Sequence, residues 1–413
     1  MRYNLGLMDM YPIEASGTNI ENDPLFRIIF KDKVDPVKLE DAVYKAIRLH
    51  PLFGTKVCFD RNYYLVTNNR PIKIINSSEK NRPRKFGKAT NDYPWQMCWD
   101  ENIVTFEWCH GITDGMGAME FIETILSFYC GAKTPEVPRR IQLGPGLEPF
   151  VDKSEKGENF SIDPKGFSIK DFPAFKRGYK TDCHVLKADI SEVLSCSKEN
   201  ETTVAPILSI LLSKAIKNNL PERAKNRNVA CNIVLDLRRP LAYETMHNCV
   251  EYKRVTYQDK HDNMSFKEVA KEYKSILDNA RIPANVVRAI TERVSMFKAY
   301  HILKPKCLRK LALRIIGFFM KDTDCNCVMT YLGKTNTPKE VLEMVEDIQV
   351  CCWHDFGECI MACVDYNGIL TANICENFIN KGIIADFIKL SSMVGINWNY
   401  MGCSTFEQAQ FVE

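Results

Sequence analysis

Residues 107 to 117, "EWCHGITDGMG", place a histidine four residues before an Asp-Gly pair. Of the seven histidines in the chain, only His110 heads such a pattern, which chance supplies roughly 0.02 times in a sequence of this composition. The residues before it, "NIVTFEW", are dense in β-branched and aromatic side chains and read as a strand. Those after Gly115, "MGAMEFIETILSFYC", have helical periodicity. His110 is therefore expected on a strand–loop–helix junction, where a rigid element holds the imidazole at the mouth of a channel.

That position suits proton transfer. Imidazole has an ordinary pKa near 6.5, so its neutral form accepts a proton from a hydroxyl or amine attacking a carbonyl. Asp114, on the same loop, either orients the imidazole or pins the loop through an ion pair. Gly115 suits a sharp turn into the helix. No nucleophile elbow of the type G-x-S-x-G adjoins the motif, which favours direct attack by an acceptor over a covalent acyl-enzyme. Taken by itself, such a histidine is more often a satisfied structural residue before an ordinary turn.

Outward from the motif the chain alternates strands and helices. "PLFRIIFK" reads as a strand, and "DPVKLEDAVYKAIRLHP" as a helix with Asp35 at its N-cap and Pro36 in its first turn. "LFGTKVCF" and "YYLVT" read as two further strands. Residues 131 to 181 lose the periodicity and are rich in Pro, Gly and charge, as in a crossover between lobes. Beyond them, "CHVLKADI" is a strand, and "TTVAPILSILLSKAIKNN" a helix capped by Thr202 or Thr203. "NVACNIVLDLRRP" is a strand ending at two arginines, and Ser265 with Glu268 forms a capping box. "GECIMACVDYNGILTANIC" is a hairpin turning at Asn367-Gly368, before a last helix over about 380 to 394. The expected organisation is α/β, in two similar lobes: residues 1–135 with the histidine motif, a crossover at 136–181, and a second lobe at 182–413.

These segments together resemble the chloramphenicol-acetyltransferase-like superfamily. Its members include condensation domains of nonribosomal peptide synthetases, BAHD plant acyltransferases and stand-alone alcohol acetyltransferases. "HGITDG" is similar to its H-x-x-x-D-G signature, and "LEDAVYKAIRLHPLFGTKV" to its early helix and turn. "NIVLDLRRPL" resembles its arginine-ending strand, "MTYLGKTNTP" a later strand, and "ACVDYNGILTANIC" its terminal hairpin. The resemblance implies two lobes of one fold, an α+β sandwich with a central channel, and an acyltransferase activity. An acyl thioester, acyl-CoA or a phosphopantetheine thioester, would donate to a hydroxyl or amine, with no tightly bound cofactor. It implies His110 as general base and Asp114 paired with an arginine, Arg238, with Arg239 as the substitute. It also implies a monomer, because both lobes complete the site within one chain.

Two positions depart from the family pattern. Condensation domains and chloramphenicol acetyltransferases usually carry two adjacent histidines, whereas Cys109 stands first here; the stand-alone enzymes and BAHD members tolerate variation there. Tyr331 replaces a common asparagine in "TYLG", which leaves Thr330 as the candidate donor to a tetrahedral oxyanion. A stand-alone condensation enzyme using an acyl carrier protein, and a non-catalytic binding protein on the same fold, both remain open.

Composition excludes other classes. A net charge of +3 over 413 residues gives no general reason to expect nucleic-acid binding. There is no leader-like start and no apolar run of membrane-spanning length, so a cytoplasmic location is expected. The seventeen cysteines are scattered, without the doubled C-x-x-C spacing of zinc sites, and are expected as small core residues with no metal. Residues 298–321, "KAYHILKPKCLRKLALRIIGFFMK", are basic and amphipathic. They read as a solvated helix face, a membrane-surface contact, a carrier-protein dock or a contact to coenzyme A phosphates.

Overall fold

The computed structural model describes residues 2–15, 23–60, 62–77, 86–133, 140–144, 146–151, 166, 180–301, 308, 325–352, 359–376 and 382–407. Fifteen strands are described: β1 (Arg2–Asn4), β2 (Leu25–Phe30), β3 (Thr55–Asp60), β4 (Asn62–Thr67), β5 (Ile74–Asn76), β6 (Trp95–Asp100), β7 (Ile103–Trp108), β8 (Lys180–Asp189), β9 (Val229–Asp236), β10 (Val250–Tyr257), β11 (Cys327–Lys334), β12 (Val345–Cys351), β13 (Cys359–Tyr366), β14 (Ile369–Glu376) and β15 (Asn399–Glu407). They form a three-stranded sheet (β1-β4-β3), a five-stranded sheet (β12-β2-β7-β6-β5) and a seven-stranded sheet (β10-β9-β11-β13-β14-β8-β15). Three helices in the first part of the chain bear on the site: α1 (Leu7–Ala15), α2 (Pro36–Leu49) and α3 (Gly115–Cys130).

Local chemistry sets several of these boundaries. Asp35 caps α2 by accepting from the Val37 and Lys38 amides, and Pro36 follows in the first turn, where a missing N–H costs nothing. Leu39, Ala42, Val43 and Ala46 make its buried face. Ser265 and Glu268 form the reciprocal capping box that opens the helix Phe266–Ala280. Thr203 occupies the N-cap of the helix Val204–Asn218, but its side chain makes no capping bond. The turn between β13 and β14 has positive φ at both Asn367 (53°) and Gly368 (82°), the left-handed pair that a two-residue hairpin with native twist requires. The last helix runs over Gly382–Met393, and Gly395, at φ 81°, follows it.

The seven-stranded sheet has two different faces. Cys231, Ile233 and Leu235 of β9, Cys327 and Met329 of β11, and Met361 and Cys363 of β13 enter an apolar core with the helices Val204–Asn218 and Phe266–Ala280. Strand alternation sends the intervening residues to the opposite face. There Ala362 and Val364 join a second core built on β2, β7, α2 and α3, with Trp95, Phe106, Trp108 and Phe121 at its centre. β12 belongs to this second body: it pairs antiparallel with β2, from Val345 opposite Phe30 to Cys351 opposite Leu25. Val345–Cys351 is thus an exception to a second lobe running unbroken from residue 182, because its Val345, Ile348 and Val350 are buried in the core of the first.

The described part of the crossover is tied to both bodies. Ile141 bridges to Thr245, its amide donating to the Glu244 carbonyl at 2.9 Å. Arg140 pairs with Glu120 of α3 at 3.0 Å and with Glu244 at 3.4 Å. Of the basic segment 298–321, only 298–301, at the end of the helix Pro283–His301, and Leu308 are described; its amphipathic face lies outside the described residues. Among the described residues no helix is long and apolar enough to cross a membrane.

Candidate functional site

Strand β7 ends at Trp108, and the loop to α3 closes on itself. The Ile112 amide donates to the Cys109 carbonyl at 3.1 Å, and the Trp108 indole N–H donates to the Thr113 carbonyl at 3.2 Å. This leaves His110 half-buried at the lip of a cavity between the two lobes. Trp108, Asp114, Gly115 and Met116 line it from the first lobe with Val350 of β12; Val234, Val250, Val328, Thr330 and Ile360 line it from the seven-stranded sheet.

The His110 ring is held by a residue 138 positions away. Its Nδ1 lies 3.0 Å from the Oδ1 of Asn248. The Asn248 Nδ2 donates to the His110 carbonyl and, at 3.4 Å, to Oδ1 of Asp9 on α1. With its nitrogen facing two acceptors, the amide presents only its oxygen to the imidazole, so the ring hydrogen sits on Nδ1 and the lone pair on Nε2. No motif or spacing marks Asn248, which follows the arginine strand in an irregular loop.

Asp114 does not serve the imidazole. It is 1 % exposed, and its carboxylate accepts from the Gly117 amide at 3.0 Å, as N-cap of α3, and from the Cys249 amide at 2.9 Å. It also takes Arg238 Nη2 at 3.0 and 2.9 Å. Arg238, 4 % exposed, donates further to the carbonyls of Thr245 (2.9 Å) and His247 (3.1 Å) and to Asp236 Oδ1 (2.8 Å). Burial opposes its charge, but Asp114 and Asp236 outweigh that and raise its pKa further. Arg239, the substitute on sequence grounds, is exposed. One carboxylate thus ties the histidine loop, the start of α3 and the loop after β9 into a single body.

The glycines of the motif answer to close approach. Gly115 is the first residue of α3 and does not have a left-handed backbone, as a sharp turn would require; a Cβ there would lie 2.8 Å from Leu332 Cδ2, across the cavity on β11. At Gly117 a Cβ would stand 2.1 Å from Thr113 Oγ1 and 2.7 Å from the Met246 carbonyl. At Gly111 it would meet the Asp9 carbonyl at 2.6 Å, because α1 packs directly on the loop.

Alternation along β11 separates the two oxyanion positions. Val328, Thr330 and Leu332 share one face of β11 and line the cavity; Tyr331, on the alternate face, packs against the helical core that holds Met329 and also reaches the cavity lining. Burial pushes the Tyr331 phenol up to about 12. Thr330 thus brings a hydroxyl to the cavity that His110 lines. Cys109, where a first histidine would stand, is a buried thiol. Among the described residues no cluster of three or more His, Cys, Asp or Glu forms a metal site.

No protein-family model matches the sequence, and no curated protein matches it. Solved structures do. TRI101 of F. graminearum, complexed with coenzyme A and T-2 mycotoxin, is 10 % identical with a TM-score of 0.65, over 96 % of this chain and 99 % of that one. Polyketide synthase associated protein 5 of Mycobacterium tuberculosis is 13 % identical with a TM-score of 0.60, over 95 % and 97 %. The condensation domain of the monacolin K polyketide synthase MokA is 11 % identical with a TM-score of 0.59, over 96 % and 97 %. Matches that run end to end over both chains show the fold: the chain has the two-lobed, chloramphenicol-acetyltransferase-like architecture that these structures share.

Proposed function

We propose that the protein is an acyltransferase that moves an acyl group from a thioester, acyl-CoA in the first instance, to a hydroxyl or amine acceptor. One observation carries the reading: His110 lines the inter-lobe cavity with its Nδ1 hydrogen engaged by Asn248, leaving Nε2 as a bare acceptor. Neutral Nε2 removes the acceptor's proton as its oxygen or nitrogen attacks the thioester carbonyl, with no covalent acyl-enzyme. The tetrahedral oxyanion takes a hydrogen bond from Thr330. Collapse breaks the C–S bond, and the imidazolium returns its proton to the departing thiolate. Asp114 and Arg238 hold the loop in register and take no part in proton transfer. The shared fold of TRI101, whose structure contains coenzyme A, supports the choice of donor.

The test is mass spectrometry of reactions pairing an acyl-CoA panel with mixed alcohols and amines, with His110→Ala as control. Acylated product from the wild type and none from the variant is expected. Substantial turnover by a folded His110→Ala protein would overturn the role of His110. Transfer only from a carrier-bound thioester would move the protein to the condensation class.

A further inference from the structure

The helix α1 brings a carboxyl group to the back of the histidine loop, where the mechanism above gives it no task. Asp9 is 3 % exposed and lies beside Glu148 of the crossover. Three glycines make room for this arrangement. A Cβ at Gly111 would strike the Asp9 carbonyl and Ile13 of α1, one at Gly146 would come 2.9 Å from Asp9 Oδ2, and one at Gly6 would overlap the Glu148 carboxyl. Such close packing brings Asp9 Oδ1 within reach of a single donor on the catalytic side, the Asn248 amide.

We propose that Asp9 is a positioning residue for His110, acting through the Asn248 carboxamide. The inference rests on the reading of His110 as the base. Asn248 has two amide hydrogens, and both are engaged, one by the His110 carbonyl and one by Asp9 Oδ1. A flip of that amide would turn Nδ2 toward the imidazole and Oδ1 toward a carbonyl and a carboxyl oxygen. In the flipped state the imidazole would carry its hydrogen on Nε2 and have no lone pair there. Asp9 thus fixes which ring nitrogen is free, from a residue 101 positions before the histidine and 239 before the asparagine. The pKa of the Asp9 carboxyl is raised to about 8, first by burial and then by Glu148, yet its carbonyl-type oxygen accepts from the amide in either protonation state.

The readout is the tautomer itself. Imidazole-15N-labelled protein is studied by long-range 1H–15N correlation, and the His110 ring is assigned by its disappearance in His110→Gln. Wild type is expected to show a hydrogen on Nδ1 and a bare Nε2. Asp9→Leu, which fills the space without an acceptor, should give a mixture of the two tautomers. Asp9→Asn, which restores an acceptor oxygen, should return the wild-type pattern. Turnover of acetyl-CoA by Asp9→Leu should fall roughly tenfold in kcat, the weight of one ordinary hydrogen bond, with KM unchanged. If Asp9→Leu does not fold, Asp9→Ala makes the same comparison. A wild-type tautomer pattern in a folded variant lacking the acceptor would overturn the proposal. A protein whose tautomer shifts but which transfers no acyl group from any donor would sustain the positioning role while refuting acyl transfer.

Discussion

Removal of the Asp114 carboxylate should cost more stability than any other single change in the histidine loop. Asp114→Ala deletes the cap on α3, worth about 1 kcal/mol, and strands the buried Arg238 guanidinium, for which breaking a buried pair costs about 3–5 kcal/mol. The two losses share one group and do not add, so about 4–5 kcal/mol is expected. At about 2.1 cal/mol/K per residue, 413 residues give an unfolding entropy near 0.9 kcal/mol/K and a fall in Tm of about 5 °C. Differential scanning calorimetry of Asp114→Ala, Arg238→Met and the double variant measures this. The double variant should recover part of the loss, because neither partner is left as a lone buried charge. If Asp114→Ala melts within about 1 °C of the wild type, the idea that this pair ties the lobes together is wrong.

Other perturbations separate chemistry from scaffold. Asn248→Ala should lower kcat on the order of 10- to 100-fold with little change in KM, because the imidazole loses its orienting partner; an unchanged kcat would rule out that role. Gly117→Ala should destabilise by roughly 1–3 kcal/mol or more through contact with Thr113 and the Met246 carbonyl, read as a lower urea midpoint. His50 and His247 are buried, which lowers both pKa values to about 4. Their folded-state values lie below the ordinary 6.5, so stability is fully present above pH 6.5 and is lost as pH falls toward 4, by up to about 3 kcal/mol each. Urea midpoints at pH 7, 5.5 and 4 should show this decline, and His247→Gln should flatten it; an equal slope in both proteins would exclude His247. Asp9 has the opposite sign. Its value, raised from 3.8 to about 8, gives stability that is present below pH 4 and lost as pH rises through 8. Asp9→Asn should therefore gain on wild type in thermal unfolding, by a margin that grows from about pH 4 to pH 8 and is largest at pH 9.

The residues by themselves determined the elements whose stabilising contacts are local. The Asp35 cap reaches the amides two and three residues on, the Ser265–Glu268 box closes within one turn, and the hairpin at Asn367-Gly368 depends on two backbone conformations. Such signals survive in sequence because the partners are neighbours. The motif at His110 and the arginine strand were legible for a different reason: they recur as a pattern of residue types along the chain. Tertiary structure alone decided the rest. It chose Arg238 over Arg239 by burying one and exposing the other, and it brought Asp114 to the loops and not to the imidazole. It brought Thr330 to the cavity, and it paired Val345–Cys351 with β2 of the first lobe. Asn248 meets His110, and Asp9 meets Asn248, across separations that no periodicity encodes. Their positions follow from the packing of two lobes, where a contact is fixed by shape and burial and leaves no mark on the spacing of residues.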